Sequence, residues 1–341
     1  MLNIGIIGSG FGVIGLLPAF SSIKGCRVVA VCAQPSRARE FNCERAGVKN
    51  IYTDWRLMLE NTELDAVAIA VIPSAQFQIA KVAIEKGLHV FAEKPFAANT
   101  AEAKELFELA KKKKITHGID FMFPEIAEWK KVKTLLENES LGKLTHLSVN
   151  WDWLSGNIKN HVVSWKTKQK NGGGALSFYF SHGLYYLEHF AGRIIEAKSI
   201  FQYTPLTNDG EAGFDIALKF RGGIAGNVHV SSNSTGFVRH QLIFQCTNGV
   251  IVLENHDAIV DRFTVTTYNA KGSRQLKVKS DIGKVGEDER VKSVRKLAHR
   301  FVHSIESATP MIPSFQHALR VEELIDVIRR ESKTRGAMPK T

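Results

Sequence analysis

The sequence of 341 residues predicts an α/β amino-terminal part built on a doubly wound parallel sheet, followed by an α+β part with a large, mostly antiparallel sheet. Three observations carry that prediction. From residue 1 to about 118, short apolar runs alternate with helical patterns, the rhythm of βαβ units. The first run leads straight into a glycine-rich turn, Gly8-Ser9-Gly10-Phe11-Gly12. Beyond Pro124 the rhythm changes, and from Ile194 to about Val278 it becomes short runs interrupted by glycine and asparagine. The division this implies is 1–120 and 121–341.

Taken in order, the expected strands of the first part are Asn3–Ile7, Arg27–Ala33, Ala66–Val71, His89–Ala92 and Ile115–Gly118. Their near-continuous apolar character suits interior parallel strands. Helical patterns fall between them at Val13–Ile23, Ser36–Arg45, Ser74–Lys86 and Thr100–Lys113. In the second part a helix near Glu125–Glu137 leads to a strand near Leu144–Trp151, then a long loop with Trp165 and Lys166, then a helix from about Gly174 to Phe190. The antiparallel sheet is read from Ala212–Phe220, Ile224–Ser231, Gln241–Cys246 and Val250–Glu254, with Asn248-Gly249 as the hairpin signal between the last two. Helices return near Glu287–Ile305 and Ser314–Glu331, and the charged stretch Lys277 to Arg290 before them reads as a mobile loop. Alternating Phe214, Ile216, Leu218 and Phe220 suit either the core or an intersubunit face.

Two segments carry chemistry. Glycines at the end of the first strand let the backbone approach a pyrophosphate, and the helix that follows favours anions at its start. Either Gly10, Gly12 and Gly15 or Gly8 and Gly10 followed by Val13 can fill the G-x-G-x-x-G pattern. The second segment is Gly87-Leu88-His89-Val90-Phe91-Ala92-Glu93-Lys94-Pro95, which ends a buried strand on a lysine. An ammonium there is costly to desolvate without a ligand or partner. In open α/β sheets ligands lie beyond the carboxyl ends of the strands, so Lys94 stands where cofactor and substrate would meet.

These two segments, with Gly172-Gly173-Gly174-Ala175-Leu176 and Ser181-His182 further on, resemble the Gfo/Idh/MocA oxidoreductases, a family of sugar and polyol dehydrogenases and reductases. The resemblance spans nearly the whole chain. It implies a Rossmann NAD(P)-binding domain at 1–120 and a substrate-binding and oligomerisation domain at 121–341. Lys94 would polarise the substrate oxygen or hold the nicotinamide ribose, and His182, tuned near neutrality, would exchange the proton. The family commonly carries an Asp one helical turn before that His; Phe178 stands there, and Tyr186, one turn later, becomes a substitute acid. A family His shortly after Pro73 is Phe77 here. Trp165-Lys166 resembles a family Trp-Arg pair near the nicotinamide, although a Trp covering a domain interface is an equal reading. The implied cofactor contacts are Gly8, Ser9, Gly10, Phe11, Gly12, Ser36, Arg37, Ile72, Pro73, Glu93, Lys94, Trp165 and Lys166. Asp120 would bind substrate hydroxyls or cap a connection. Trp151 and Trp153 would stack on a sugar or fill core.

Charge placement bears on the cofactor. NAD-preferring dinucleotide folds usually hold the ribose diol with a carboxylate at the end of the second strand. This chain has no Asp or Glu before Glu40, and that strand instead leads to Ser36-Arg37-Ala38-Arg39. A hydroxyl and guanidinium groups suit a 2′-phosphate, so NADP(H) is expected, with NAD as the alternative. Net charge is +11, yet the densest run, Lys111–Lys114, closes a helix, where cations complement the helix dipole, so nucleic acid is not the expected partner. The charge suits anionic ligands instead. No apolar run approaches the roughly 18 residues a membrane helix needs. No signal-peptide pattern opens the chain, and Cys26, Cys32, Cys43 and Cys246 lack metal or disulfide spacing, which suits a reducing cytoplasm. The reading is an NADP(H)-dependent oxidoreductase of a sugar, polyol or nucleotide-linked sugar, in the reductive direction, working as a homodimer or homotetramer. A non-catalytic dinucleotide-binding regulator and a redox-assisted lyase or glycosidase are the alternatives.

Overall fold

Six parallel strands form the first sheet of the computed structural model, which describes residues 1–207, 209–257 and 260–332. They are β1 (Leu2–Ile7), β2 (Cys26–Cys32), β3 (Asn50–Tyr52), β4 (Ala66–Ile69), β5 (His89–Ala92) and β6 (His117–Ile119), in spatial order β3-β2-β1-β4-β5-β6. Reversal of strand order at β1/β4 makes this a doubly wound sheet, with its switch point beside the glycine turn. Helices α1 (Leu17–Phe20), α2 (Arg37–Ala46), α3 (Trp55–Asn61), α4 (Pro73–Glu85) and α5 (Thr100–Lys113) connect the strands. β3 and α3 were not anticipated from sequence. A three-residue edge strand with only half-buried or exposed side chains has too few apolar positions to show a period.

The helix expected at Val13–Ile23 opens instead as a π-turn at Gly12–Leu16 before α1. Gly15 in this turn leaves room for Phe11, whose ring lies 2.3 Å from where a Cβ on Gly15 would stand. Lys111, Lys112 and Lys113 do end α5, in its last turn.

Eight strands make the second sheet, in order β14-β13-β12-β11-β7-β10-β9-β8. They are β7 (Leu144–Asp152), β8 (Ile194–Gln202), β9 (Gly213–Phe220), β10 (Ala225–Ser231), β11 (Arg239–Cys246), β12 (Gly249–Asn255), β13 (Thr264–Asn269) and β14 (Gly272–Gln275). All pairings are antiparallel except β7 with β10. The hairpin at Asn248-Gly249 is present, closing on the Cys246–Gly249 pair. Helices α6 (Ala127–Glu137), α7 (Gly156–Lys159) and α8 (Ser181–Ala191) belong with this sheet, and α9 (Val291–Ser307) and α10 (Phe315–Glu331) follow it in sequence.

The compact units are 1–126 with 281–322, and 127–280 with 323 onward. The segment 281–322 thus packs with the first unit. Aromatic packing holds it there, since Phe301 of α9 meets Phe91 of β5 and Phe20 of α1 at 5.6 and 6.2 Å between ring centroids. Within the stretch read as a mobile loop, Asp281 and Glu287 are tied to α9 by ion pairs to Lys296 and Arg295. In the second unit, Phe214, Ile216, Leu218 and Phe220 are all buried, which settles them as core. Their sheet's other face is polar, with Ser148 on Asn227, Asn150 on Gln241 and His229 between Asp152 and Asp215.

Candidate active site

In the first unit the site is built where β1, β2, β4, β5 and β6 end. Gly8 takes φ +141°, and a Cβ there would lie 2.1 Å from the Ala70 carbonyl oxygen, so only glycine lets the chain turn beside β4. Nothing lies within 4 Å of a Cβ position on Gly10, which is exposed with Ser9. Val13 is fully buried. That geometry favours the register Gly8, Gly10, Val13: a tight turn, an open backbone face, and a packed third position. Ser9 also fixes the next loop, its Oγ accepting from the Gln34 N–H at 2.8 Å.

The end of β2 is exposed from Gln34 to Ala38. Ser36 caps α2, accepting from the Arg39 N–H at 3.1 Å. Arg39 is turned back, its Nη1 donating to the Ala33 carbonyl, while Arg37 stands exposed at the helix start. Positive backbone ends, a hydroxyl and Arg37 thus share one surface suited to phosphate. Ile72, exposed, and Pro73, buried, form the N-cap and first residue of α4.

Lys94 lies just past β5 and is held from behind. Gln76, 0% exposed, donates from Nε2 to the carbonyls of Glu93, Pro95 and Phe96 at 2.5, 3.1 and 3.1 Å. The Lys94 main-chain N–H donates to Glu93 Oε2 at 3.0 Å. Asp120, after β6, is 1% exposed. Burial, reinforced by the charge and hydrogen bond of Glu93, pushes its carboxyl well above the usual carboxylate range, against the pull of Lys94 and Arg290. Arg290 comes from the returning segment; its guanidinium lies 4.2 Å from the Phe11 ring centroid and is paired with Asp288. Sequence reasoning missed Gln76 and Arg290. A lone amide on the buried face of α4 was a usable signal; Arg290, far downstream, offered none.

In the second unit Trp165 and Lys166 sit on a turn capped by Ser164. Gly173 and Gly174 clasp that turn, donating to the carbonyls of Lys168 and Lys166. A Cβ on Gly174, at φ +91°, would fall 1.6 Å from Glu211 Oε2, so this glycine admits a buried ion pair. Arg329 completes it, donating to Glu211 and to the Gly173 carbonyl at 2.8 and 2.9 Å. The continuous helix expected from Gly174 is instead a π-turn, Ala175–Tyr179, that breaks at Phe180 before α8. Phe178 receives Trp165 edge-on at 5.2 Å and Lys166 Nζ over its face at 4.8 Å. A ring thus meets the cation where the family commonly has an Asp. His182 is 7% exposed in the first turn of α8.

Tyr186 lies one turn further along α8. It is 0% exposed, its ring 4.9 Å from that of Trp129 and its hydroxyl 3.2 Å from His240 Nε2. Burial alone pushes the phenol well above its ordinary pKa. One turn beyond His182 is the core side of α8, where Tyr186 packs. Trp151 and Trp153 are likewise core; Trp151 stacks on His240 at 4.2 Å. Among the described residues, no cluster of three metal-ligating side chains occurs, and no helix is long and apolar enough to cross a membrane.

Comparison with known proteins places these features. Residues 2–121 match the oxidoreductase family with an NAD-binding Rossmann fold, and residues 129–252 match the GFO/IDH/MocA C-terminal domain. An oxidoreductase of Synechocystis sp. is 26% identical over 346 residues, spanning 96% of this chain and 93% of its own. Levoglucosan dehydrogenase of Pseudarthrobacter phenanthrenivorans is 26% identical over 235 residues, 65% of this chain and 60% of its own. Among solved structures, a levoglucosan dehydrogenase in complex with NADH superposes with TM-score 0.84 at 20% identity, covering 97% and 96% of the two chains. A 3-ketoreductase from Actinomadura kijaniata in complex with NADP and TDP-benzene gives 0.80 at 18% identity, covering 97% of each. At such identities the superpositions speak for the fold alone.

Proposed function

The chain belongs to the Gfo/Idh/MocA oxidoreductase family, and from that premise we propose that it is an NADP(H)-dependent oxidoreductase of a sugar, polyol or nucleotide-linked sugar derivative. The observation that carries the reading is Lys94, held past β5 by Gln76 in the same unit as the open glycine turn. The residues fit a dinucleotide. Gly8, Ser9, Gly10, Phe11 and Gly12 offer a pyrophosphate an open backbone, Ser36 and Arg37 suit a 2′-phosphate, and Ile72, Pro73, Glu93, Lys94, Trp165 and Lys166 complete the expected contacts. When bound, the nicotinamide supplies or accepts the hydride at the carbinol or carbonyl carbon. Lys94 polarises the substrate oxygen, and His182 exchanges the proton.

Phosphate-suited groups at the end of β2, and the lack of any acidic residue before Glu40, support NADP(H) over NAD(H). That preference in turn favours reduction. Lys94 and His182 together argue for catalysis over a purely regulatory dinucleotide binder. The test is a spectrophotometric screen following NADPH and NADH oxidation with L-sorbose, keto-sugars and nucleotide-linked keto-sugars, and NADP and NAD reduction with levoglucosan. Net, stoichiometric cofactor turnover with at least one of them is expected. Cofactor binding without hydride transfer to any would overturn the reading, and sugar cleavage without net cofactor change would replace it with the lyase.

A further inference from the structure

Two carboxyl groups are buried together beside Lys94, and the proton transfer as described uses neither. Glu93 follows β5 and Asp120 follows β6, and the parallel pair Ala92↔Ile119 brings the two strand ends side by side. Glu93 is 9% and Asp120 1% exposed. Two ionised carboxylates there would repel each other where water solvates neither, whereas one proton held between them removes most of that cost. The charged groups that face the pair are Lys94 and Arg290, the latter already held by Asp288 at 2.8 Å. Asp120 Oδ1 has no hydrogen-bond partner, so one side of the pair is not consumed by the fold.

We propose that Glu93 and Asp120 act as one pair sharing a single proton, which serves Lys94 by presenting its ammonium with one negative charge and holding it in place. This rests on the oxidoreductase reading above. In either direction His182 exchanges the proton with the substrate oxygen, while the pair, holding one proton and one negative charge, keeps the Lys94 ammonium charged and aimed at that oxygen. Both carboxyls are positioning residues, because they act through Lys94.

Infrared spectroscopy of the protonated-carboxyl stretch tests the pair without any substrate. The native protein keeps such a stretch at pH 7, and both Asp120→Asn and Glu93→Gln lose it. In Lys94→Met the pH midpoint of that stretch rises by about one unit or more, because a neighbouring cation favouring the ionised form is gone. Absence of the stretch in the native protein, or an unmoved midpoint in Lys94→Met, overturns the proposal. With levoglucosan and NADP, Asp120→Asn lowers kcat by ~10-fold or more and flattens the pH profile, while cofactor Kd is unchanged. An unchanged pH profile in Asp120→Asn also overturns it. If the infrared responses appear and no substrate in the panel is turned over, the pair stands and the sugar reading fails.

Discussion

Replacing Gln76 by leucine removes a buried amide that ties down the turn carrying Lys94. Gln76 Nε2 has two hydrogens facing three carbonyls, those of Glu93, Pro95 and Phe96, all within 3.1 Å. Leucine is similar in volume, so the loss is one of hydrogen bonding and not of packing. A buried carbonyl left without its donor costs about 1–3 kcal/mol. Two bonds are lost in effect, and part of the cost is offset because Gln76 Oε1 has no partner of its own. The expected loss is about 2–4 kcal/mol, which for a unit of this size lowers Tm by about 5–15 °C. The freed strand end also lets the Lys94 ammonium drift, and a misplacement near 1 Å costs on the order of 10² in rate. Thermal melting followed by circular dichroism, beside kcat and cofactor Kd, measures both effects. Tm within about 2 °C of native, with kcat unchanged, would refute the claim that Gln76 positions Lys94.

Four further expectations follow from named groups. His182→Ala lowers turnover by roughly 10²–10⁴ with cofactor affinity retained, whereas Tyr186→Phe costs stability through His240 and leaves turnover near native; the reverse pattern in steady-state assays would restore the tyrosine as the acid. Arg37→Ala raises KM for NADPH far more than for NADH, and equal changes would remove the 2′-phosphate reading. Burial, helped by His317, holds His117 down at about 4, where its ring stacks on Phe315 at 4.8 Å. Below pH 6.5 the unfolded chain therefore binds a proton that the folded chain refuses, so stability falls with pH through the window from 6.5 to about 4. The loss is roughly 2 kcal/mol by pH 5. Urea unfolding at pH 7 and pH 5 should show it, and His117→Asn should lessen it. Sedimentation velocity at micromolar concentration should give at least a dimer, with a monomer counting against assembly through the second unit.

Local pattern was enough to foresee much of this molecule. The βαβ rhythm, β5 at His89–Ala92 and α5 at Thr100–Lys113 were legible because runs of buried side chains and helix ends are written in short stretches of chain. The glycine turn and Lys94 were legible for the same reason, being backbone and strand-end features. What depends on contacts between distant segments was not. Whether Tyr186 faces a cavity or the core turned on where Trp129 and His240 fall, and no helical period encodes that. The alternation Phe214 to Phe220 showed that one face is apolar, and only the packed structure determined that this face is the core. Return of 281–322 to the first unit, which brings Arg290 over Phe11, is likewise a matter of which surfaces bury each other. The setting of Asp120 belongs to the same class, because only the pairing of β5 with β6 buries it beside Glu93, which pushes its carboxyl above the usual carboxylate range.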